Sequence, residues 1–412
     1  MNLNRAKQIF VDLAKELPEP GKGRPQKSGP ITESLLIRGG MVLHGEIANK
    51  YFEALEEMSD IVTADETWNK DAVDELLANR VRAVEEVSTD QRQQVIRAQA
   101  DELVVQLSKS PETWEIDLSV YGMHPDCAGL KFGKIAFLIE KVESSQTIPG
   151  FIDAAADNRT LFARTSVEAI DQKSAIDRAA EIVDRHLDVL NAICVQYFPS
   201  RTRLSRSTFQ AKQLSIMRTR NTTQTEAAAR FHGENLSILL SRPDYDKLVS
   251  QRGGSAVSAL LLTQNSFATR VIAGYEIAGT ACVEQRPQLS FLLLAIALES
   301  VVLGKDTKSE ITYQLSARIA HLLTSDVPSR RTVVKTVNDL YDLRSKIVHT
   351  GKDEVAETEL RILRHICLET LLALATLPAF VDMETAEDLD QWFNDRMLGA
   401  TEPPTNKGDG SG

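Results

Sequence analysis

The chain has 412 residues, of which 42% are hydrophobic and 25% are charged, an ordinary balance for a folded globular protein that argues against general disorder. Its formal net charge of -11 excludes a broadly basic surface for gripping long nucleic acid, so any contact with RNA must be local. At about 100 to 200 residues a domain, this length accommodates two or three domains.

Cysteine spacing and apolar runs indicate the compartment. Cys127, Cys194, Cys282 and Cys367 are too far apart in sequence to predict a zinc ribbon or a disulfide framework, so a reducing cytoplasm is predicted. The most apolar stretch, 289–298, is shorter than the about 20 residues that cross a bilayer, and no secretory signal opens the chain. We therefore predict a cytoplasmic protein without a membrane partner.

Residues 1–110 are predicted to form a mostly helical region. Residues 3–16 have the pattern of a short helix, and a loop rich in Pro and Gly follows them. From 34 to 108, apolar residues recur at helical spacing.

Residues 111–225 are predicted to form a small α+β domain. Apolar and polar residues alternate over 114–120, over 130–139 and again over 161–167, which is the period of half-buried strands. The second run slips by one residue at Gly133, where we predict a β-bulge. A helical pattern follows the third run.

A basic stretch lies at the end of this domain, because no acidic residue occurs between positions 199 and 221. On an acidic protein this stretch is the best candidate for a local phosphate-contacting strip. The alternative is a solvated loop and helix face. The predicted RNA-contacting residues are Arg201, Arg203, Arg206, Arg218 and Arg220.

The remainder of the chain is predicted to be a connector over 226–254, a helical bundle over 255–380 and a disordered tail over 399–412. The fold class is therefore mixed, mainly α. The helices of the bundle are predicted at 255–281, 288–303, 307–324, 330–349 and 353–377.

The segment Leu340–Gly351 carries the chemistry, since Arg344 and His349 stand in it with four residues between them. An arginine binds phosphate through a planar fork of donors, and a histidine moves a proton near neutral pH. The pair therefore suits cleavage of a phosphodiester. The bland alternative is a helix that ends in a capping residue.

The predicted helix does not bring the two side chains together. Arg344 shares the apolar stripe of the helix, and five helical steps of about 100° place His349 about 140° away. Either the helix breaks before His349, with Gly351 as its terminator, or the site is assembled across a dimer.

Four neighbouring side chains are supporting candidates. Glu299 and Arg318 interrupt apolar stripes, which predicts a buried or half-buried ion pair, in one version with Arg344, or a role in orienting the site. Tyr341 could stack on a base, but core packing is the favoured reading. Ser345 either hydrogen-bonds phosphate or hydrates the helix.

The stretches Phe291–Glu299, Leu315–Leu322 and Leu340–Gly351 together resemble the HEPN superfamily, most closely the Apea-like branch, over about residues 255–379. The resemblance implies a helical bundle that dimerises, with motif helices from two protomers lining one cleft. It also implies a metal-independent ribonuclease without a cofactor, with Arg344 and His349 as catalytic residues. Gly351 stands where a subset of HEPN toxins has a modified tyrosine, so a toxin of that kind is not expected.

Function follows from the resemblance rather than from composition. It implies a homodimer or higher homo-oligomer that acts as a ribonuclease in antiphage defence. For the reaction we predict attack of a ribose 2′-hydroxyl on the adjacent phosphate, which leaves 2′,3′-cyclic phosphate ends. Because an unregulated ribonuclease would harm its own cell, the large N-terminal region is predicted to restrain the site or to recognise a phage-derived or protein trigger. The alternative is a non-catalytic HEPN module that binds RNA, a nucleotide or a protein partner. A third reading is a helical assembly protein in which Arg344 and His349 only hold a dimer.

Competing nuclease signatures are weak. Asp126, Asp171 and Lys173 match the residue types of a metal-dependent nuclease site. Asp171 and Lys173 fall at a predicted helix start, however, whereas such a site needs its acid and lysine on a strand. No phosphate-binding loop ending in Gly-Lys-Ser/Thr occurs. We therefore predict no metal site.

Overall fold

A computed structural model describes residues 2–17, 34–37, 41–44, 46–62, 70–139, 161–197, 204, 212–220, 225–233, 240–251, 253–304, 311–350 and 354–399. The fold is mixed and mainly α, as predicted. By its contacts the chain divides into one unit of residues 1–116, 166–179 and 219–225, and a second unit of residues 117–165, 180–218 and 226–412. No described helix is both long enough and apolar enough to span a bilayer.

The N-terminal region is helical, with a core formed by side chains that recur every three or four residues. Phe10, Tyr51, Met58, Leu77 and Leu103 are among its buried side chains. A β-hairpin that the sequence did not predict precedes the second helix. The elements are α1 (Leu3–Glu16), β1 (Ser34–Ile37), β2 (Met41–His44), α2 (Glu46–Val62), α3 (Lys70–Glu85) and α4 (Arg92–Leu107).

A six-stranded sheet follows, in the strand order β4-β5-β6-β3-β7-β8. The strands predicted at 114–120 and 161–167 and the helix after them are present. Two further strands were not predicted: β7 lies within the region of the predicted basic strip, and β8 follows that region. The elements are β3 (Glu112–Val120), β4 (Lys131–Phe132), β5 (Ile135–Ile139), β6 (Leu161–Ala169), α5 (Gln172–Tyr197), β7 (Lys212–Arg220) and β8 (Thr225–Gly233).

The β-bulge predicted at Gly133 is wrong, because this glycine lies in a tight turn. Phe132 pairs with Ile135 in antiparallel register, which leaves Gly133 and Lys134 as the two turn residues between β4 and β5. Gly133 has φ +54, in the left-handed region that favours glycine. The reversal of the chain therefore explains the shift of the apolar pattern.

The C-terminal part is a helical bundle, and the predicted helix over 255–281 is interrupted. Leu261 ends the first piece, and Asn265 begins the second by accepting a 2.7 Å hydrogen bond from the backbone amide of Ala268. The segment predicted as a connector contains β8 and the first helix of the following set. The helices are α6 (Arg242–Gln251), α7 (Gly254–Leu260), α8 (Ser266–Val283), α9 (Pro287–Val302), α10 (Ile311–Leu323), α11 (Val327–Thr350), α12 (Glu357–Thr376) and α13 (Ala386–Met397).

Helix α13 lies beyond the predicted end of the bundle at 380 and packs against α8 and α10. Thr385 caps it in a capping box with Asp388. Leu389, Trp392 and Phe393 are buried, at the spacing of one helix face. The bundle therefore extends to Met397. The predicted disordered tail lies almost wholly outside the described residues.

Candidate active site

Helix α11 carries both catalytic candidates and packs against α9, α10 and α12. Its buried side chains Val337, Leu340, Leu343 and Ile347 form the stripe that faces the bundle. The Tyr341 hydroxyl donates to the Ala295 carbonyl of α9, and one turn later Arg344 reaches Glu299. The later residue of α11 contacts the later residue of α9, so the two helices run in the same direction here.

Arg344 is half-buried beside the carboxylate of Glu299. Its Nη2 lies 3.6 Å from Glu299 Oε1, which is an ion pair at longer than hydrogen-bond distance. Its Nε is buried without a hydrogen-bond partner among the described residues. The guanidinium is therefore loosely held and retains donors that an anion could occupy.

His349 is exposed in the last turn of α11, which continues without a break to Thr350. The predicted alternative in which the helix breaks before His349 is wrong. On a regular helix, positions five apart point about 140° away from each other. Arg344 and His349 of one chain therefore do not share one face.

Tyr341 is buried, and its hydroxyl donates a 3.2 Å hydrogen bond to the Ala295 carbonyl. Burial raises the pKa of this phenol, and the charge of Glu299 raises the pKa further. Because the ring is enclosed in the core, it is not accessible for stacking on a base. Of the two readings of Tyr341, the structure supports core packing.

Arg318 is buried in a different network from Arg344. Its Nη1 donates to the Val302 carbonyl and, at 3.2 Å, to Asp390 Oδ1, and its Nη2 donates to Asn394 Oδ1. Arg270 binds the same Asp390 oxygen at 3.1 Å. Burial lowers the pKa of Arg318, and Asp390 opposes that shift. The ion pair of Arg318 therefore anchors α10 to α13 and is not made with Glu299.

The other predicted contact residues are placed as follows. Ser345 is exposed on α11. Arg201, Arg203 and Arg206 lie outside the described residues. Arg218 and Arg220 belong to β7, but their side chains lie outside the described part of the structure.

Sequence reasoning missed a basic groove on the first half of α11, lined in part by Arg330, Arg331 and Lys335. Its signal was present as two adjacent arginines followed one turn later by a lysine on a helix. It also missed two exposed apolar residues close to Arg344, which are Ile296 on α9 and Val348 on α11.

The carboxylates considered for a metal-dependent nuclease serve local structure. Asp171 accepts hydrogen bonds from the Ser174 amide and hydroxyl at the start of α5, and Lys173 pairs with Glu75 at 3.4 Å. Asp126 lies beside His124 in a 3-10 turn. Among the described residues, no group of three or more His, Cys, Asp and Glu side chains is arranged to hold a metal ion.

Comparisons with family models, with curated proteins and with solved structures found no match for this chain. The grounds for a function are therefore the residues of α9 and α11 themselves.

Proposed function

We propose that this chain is a metal-independent endoribonuclease of the HEPN type, acting in the cytoplasm. The observation that carries the proposal is the half-buried, loosely held guanidinium of Arg344 on the same helix as the exposed imidazole of His349. Phosphodiester cleavage needs a cation for the phosphate and a group that moves protons, and these two side chains supply them.

The proposed reaction is an internal transfer that needs no water. The ribose 2′-oxygen attacks the adjacent phosphorus, and a base takes the proton of the 2′-hydroxyl. The bond from phosphorus to the 5′-oxygen breaks, and an acid gives that oxygen a proton. The products are a 2′,3′-cyclic phosphate and a free 5′-hydroxyl, so base and acid each change by one proton.

The geometry of α11 favours a site shared by two copies of the chain. Because one chain points Arg344 and His349 to different faces of a regular helix, a single cleft requires a second α11. In a twofold dimer each copy contributes the same residues to the interface. Two Arg344 side chains then hold the phosphate, while two His349 side chains divide the roles of base and acid.

Two exposed apolar residues beside Arg344 support such a dimer. Val348 is 50% exposed and lies four residues after Arg344, on the same helix face. Ile296 is 42% exposed and lies three residues before Glu299, on the same face of α9. The buried cores of protein interfaces are more apolar than the rest of the surface, and arginine is enriched in them.

The direct test compares the wild type with Arg344→Ala and His349→Ala on total RNA and on tRNA, in EDTA, with end-group analysis. Each substitution is expected to lower cleavage by about a hundredfold or more, since each removes a group used in the transition state. Arg361→Ala and His365→Ala are matched controls, because they remove an exposed arginine and an exposed histidine from α12.

Cleavage by the wild type and the controls, with cyclic phosphate ends, would support the enzyme and its two residues. Equal cleavage by all five proteins would reject the proposed site. A role in antiphage defence is part of the proposal only through the likeness to HEPN effectors. A phage-derived or protein trigger is part of it because the large N-terminal region gives the chain a means to restrain the site.

The second candidate is a non-catalytic module that binds RNA, a nucleotide or a protein partner. It is favoured by the pairing of Arg344 with Glu299 on its own chain, because the carboxylate already neutralises the charge meant for phosphate. Under this reading, His349→Ala changes an affinity and no RNA is cleaved. Under the assembly reading, it changes the oligomeric state alone.

A further inference from the structure

The first half of α11 borders a groove of about 430 Å³ that is open to solvent and has no role in the proposed chemistry. Arg330, Arg331 and Lys335 supply three positive charges, and Val327 and Val334 supply aliphatic surface between them. These positions recur every three or four residues, so they share one face of the helix. The groove is therefore a compact basic patch on an acidic protein.

The charges of this groove are available to a ligand. Arg331 and Lys335 are exposed, and no carboxylate among the described residues lies within ion-pair distance of either. Within the described residues, Arg330 donates from Nε to the Thr324 carbonyl at 3.3 Å. Its charge also acts on Asp326, whose pKa is lowered by hydrogen bonds from Ser329 and by Arg330, so Arg330 is the most engaged of the three cations. Asp339 lines the far end, one turn after Lys335, yet the two form no ion pair within the described residues.

The groove faces the same side of α11 as His349. His349 lies 18 positions after Arg331, which is five full turns and about 27 Å along the helix. Asp339 and Asp342 lie between them, so the basic patch and the histidine are two separate places rather than one continuous track. A ligand that reaches both must be a chain long enough to pass the two carboxylates.

We propose that this groove is an exosite for the phosphate backbone of single-stranded RNA, away from the bond that is cleaved. The choice of RNA over another polyanion rests on the proposed nuclease function. Arginine forks and a lysine bind phosphate oxygens without reading sequence, and aliphatic side chains suit the sugar. The groove would raise affinity and position the strand, while Arg344 and His349 carry out the reaction.

The test measures binding of a fluorescent 12-residue oligouridine to the His349→Ala protein, which leaves the RNA uncut. The further changes Arg331→Ala and Lys335→Ala are made together in this background. The matched control carries Lys247→Ala and Arg361→Ala, which remove two exposed charges from the same unit of the chain. Thermal melting confirms that all variants fold.

The groove variant is expected to bind about tenfold more weakly than the control at low salt. Its dependence of log affinity on log salt should be shallower by about 1.4, which is two phosphate contacts at about 0.7 each. Equal affinities and slopes in the two variants would overturn the exosite. Equal groove-dependent binding of oligoglutamate would overturn RNA as its ligand.

Binding and cleavage fail independently in this design. In the His349-containing enzyme, the groove changes should raise KM and leave kcat nearly unchanged. RNA bound through the groove by a protein that never cleaves would keep the exosite and reject the nuclease. Normal cleavage with an unaltered KM in the groove variant would keep the nuclease and reject the exosite.

Discussion

Arg344 meets a competitor for phosphate in its own chain. The 3.6 Å pair with Glu299 is partly exposed, and such pairs contribute about 0.2 to 1 kcal/mol to stability. A phosphate offers the guanidinium two parallel charge-assisted hydrogen bonds, which are stronger. Under the proposed function, Glu299 therefore affects the affinity of Arg344 for RNA more than it affects the stability of the bundle.

Replacing Glu299 by Gln should tighten RNA binding about two- to fivefold, since it removes the competing charge and keeps an acceptor oxygen. The measurement is oligouridine affinity in the His349→Ala background, with thermal melting alongside. Glu284→Gln is the control, because Glu284 pairs with exposed Arg286 at 3.3 Å. Weaker binding after Glu299→Gln would show that the carboxylate orients Arg344 instead.

Gly133 is fixed by its surroundings as well as by its backbone. A Cβ at this position would lie 2.5 Å from His186 Nε2 and 2.9 Å from Leu261 Cβ. The amide of the next residue, Lys134, donates a 3.0 Å hydrogen bond to the same His186 nitrogen. The atom that a Cβ would meet is therefore also the acceptor of a backbone hydrogen bond, so moving the histidine away strains that bond.

Gly133→Ala should therefore lower the free energy of unfolding by about 2 to 5 kcal/mol, from left-handed strain and overpacking together. Gly129→Ala isolates the backbone part, because Gly129 has φ +87 and no atom within 4 Å of its Cβ position. It should cost only about 1 to 2 kcal/mol. Urea denaturation of both variants decides the matter, and equal losses would contradict the packing account.

The site was only partly predictable at this scale. The stripe of Val337, Leu340 and Arg344 placed the guanidinium at the edge of the core, since position on a helix follows from the 3.6-residue period. The partners of Arg318 could not be read from spacing, because Asp390 is far away in sequence and belongs to a helix that was not predicted. The availability of the groove likewise could not be read from spacing, because it depends on Arg331 and Lys335 forming no ion pair with the carboxylates of the described residues, Asp339 in the groove lining included.

Among the elements, helix α5 carries two groups, His186 and Asp188, whose pKa values shift in opposite directions on folding. Burial lowers the pKa of His186 to about 4, and its Nε2 accepts from the Lys134 amide while its Nδ1 donates to the Ile182 carbonyl. Burial, aided by the charges of Asp184 and Glu276, raises the pKa of Asp188 to about 7. For both groups, the folded and unfolded chains therefore bind different numbers of protons over an overlapping pH range.

Their contributions to stability oppose each other between about pH 4 and pH 6.5. His186 binds a proton in the unfolded chain but not in the folded one, so its term makes stability rise with pH. Asp188 binds a proton in the folded chain but not in the unfolded one, so its term makes stability fall with pH up to about 7. Burial also raises the pKa of Glu276, which adds to the second term.

We therefore expect single variants to reveal slopes that the wild type conceals. As the pH rises from about 4.5 to about 6.5, the free energy of unfolding of Asp188→Asn should increase relative to that of the wild type. The free energy of unfolding of His186→Gln should decrease relative to the wild type over the same range. Each change is expected to be about 1 kcal/mol or more. Urea midpoints at several pH values measure both. Parallel curves for the three proteins would contradict the assigned shifts.

Elements were predictable where one pattern acted over many residues. The long helices followed from apolar spacing, and β3 and β6 followed from alternation. The turn at Gly133 was read as a bulge because a two-residue reversal and a one-residue slip shift the pattern alike. The break after Leu261 was missed because the apolar residues continue through it, although Asn265 offered a capping signal.

On the scale of the whole molecule, the negative net charge and the local basic groove fit the proposal of a protein that contacts RNA at only a few positions. A net charge of -11 repels bulk nucleic acid, so binding depends on a few placed cations. The regular helix through His349 adds a second requirement to the proposed function, because Arg344 and His349 of one chain point to different faces of α11. Assembly and activity are therefore expected to depend on each other.

The proposed function depends above all on Arg344 and His349 acting together in a cleft shared by two chains. The measurement mixes Arg344→Ala and His349→Ala proteins, each inactive alone, under conditions that exchange subunits, and follows RNA cleavage with cyclic phosphate ends. A mixed dimer retains one arginine and one histidine in the cleft, so it keeps a cation and one of the two proton-transfer groups, whereas each variant alone lacks one kind of group entirely. We therefore expect activity above that of either variant and below that of the wild type. A mixture that exchanges subunits and stays as inactive as its components, beside an active wild type, would contradict the shared cleft.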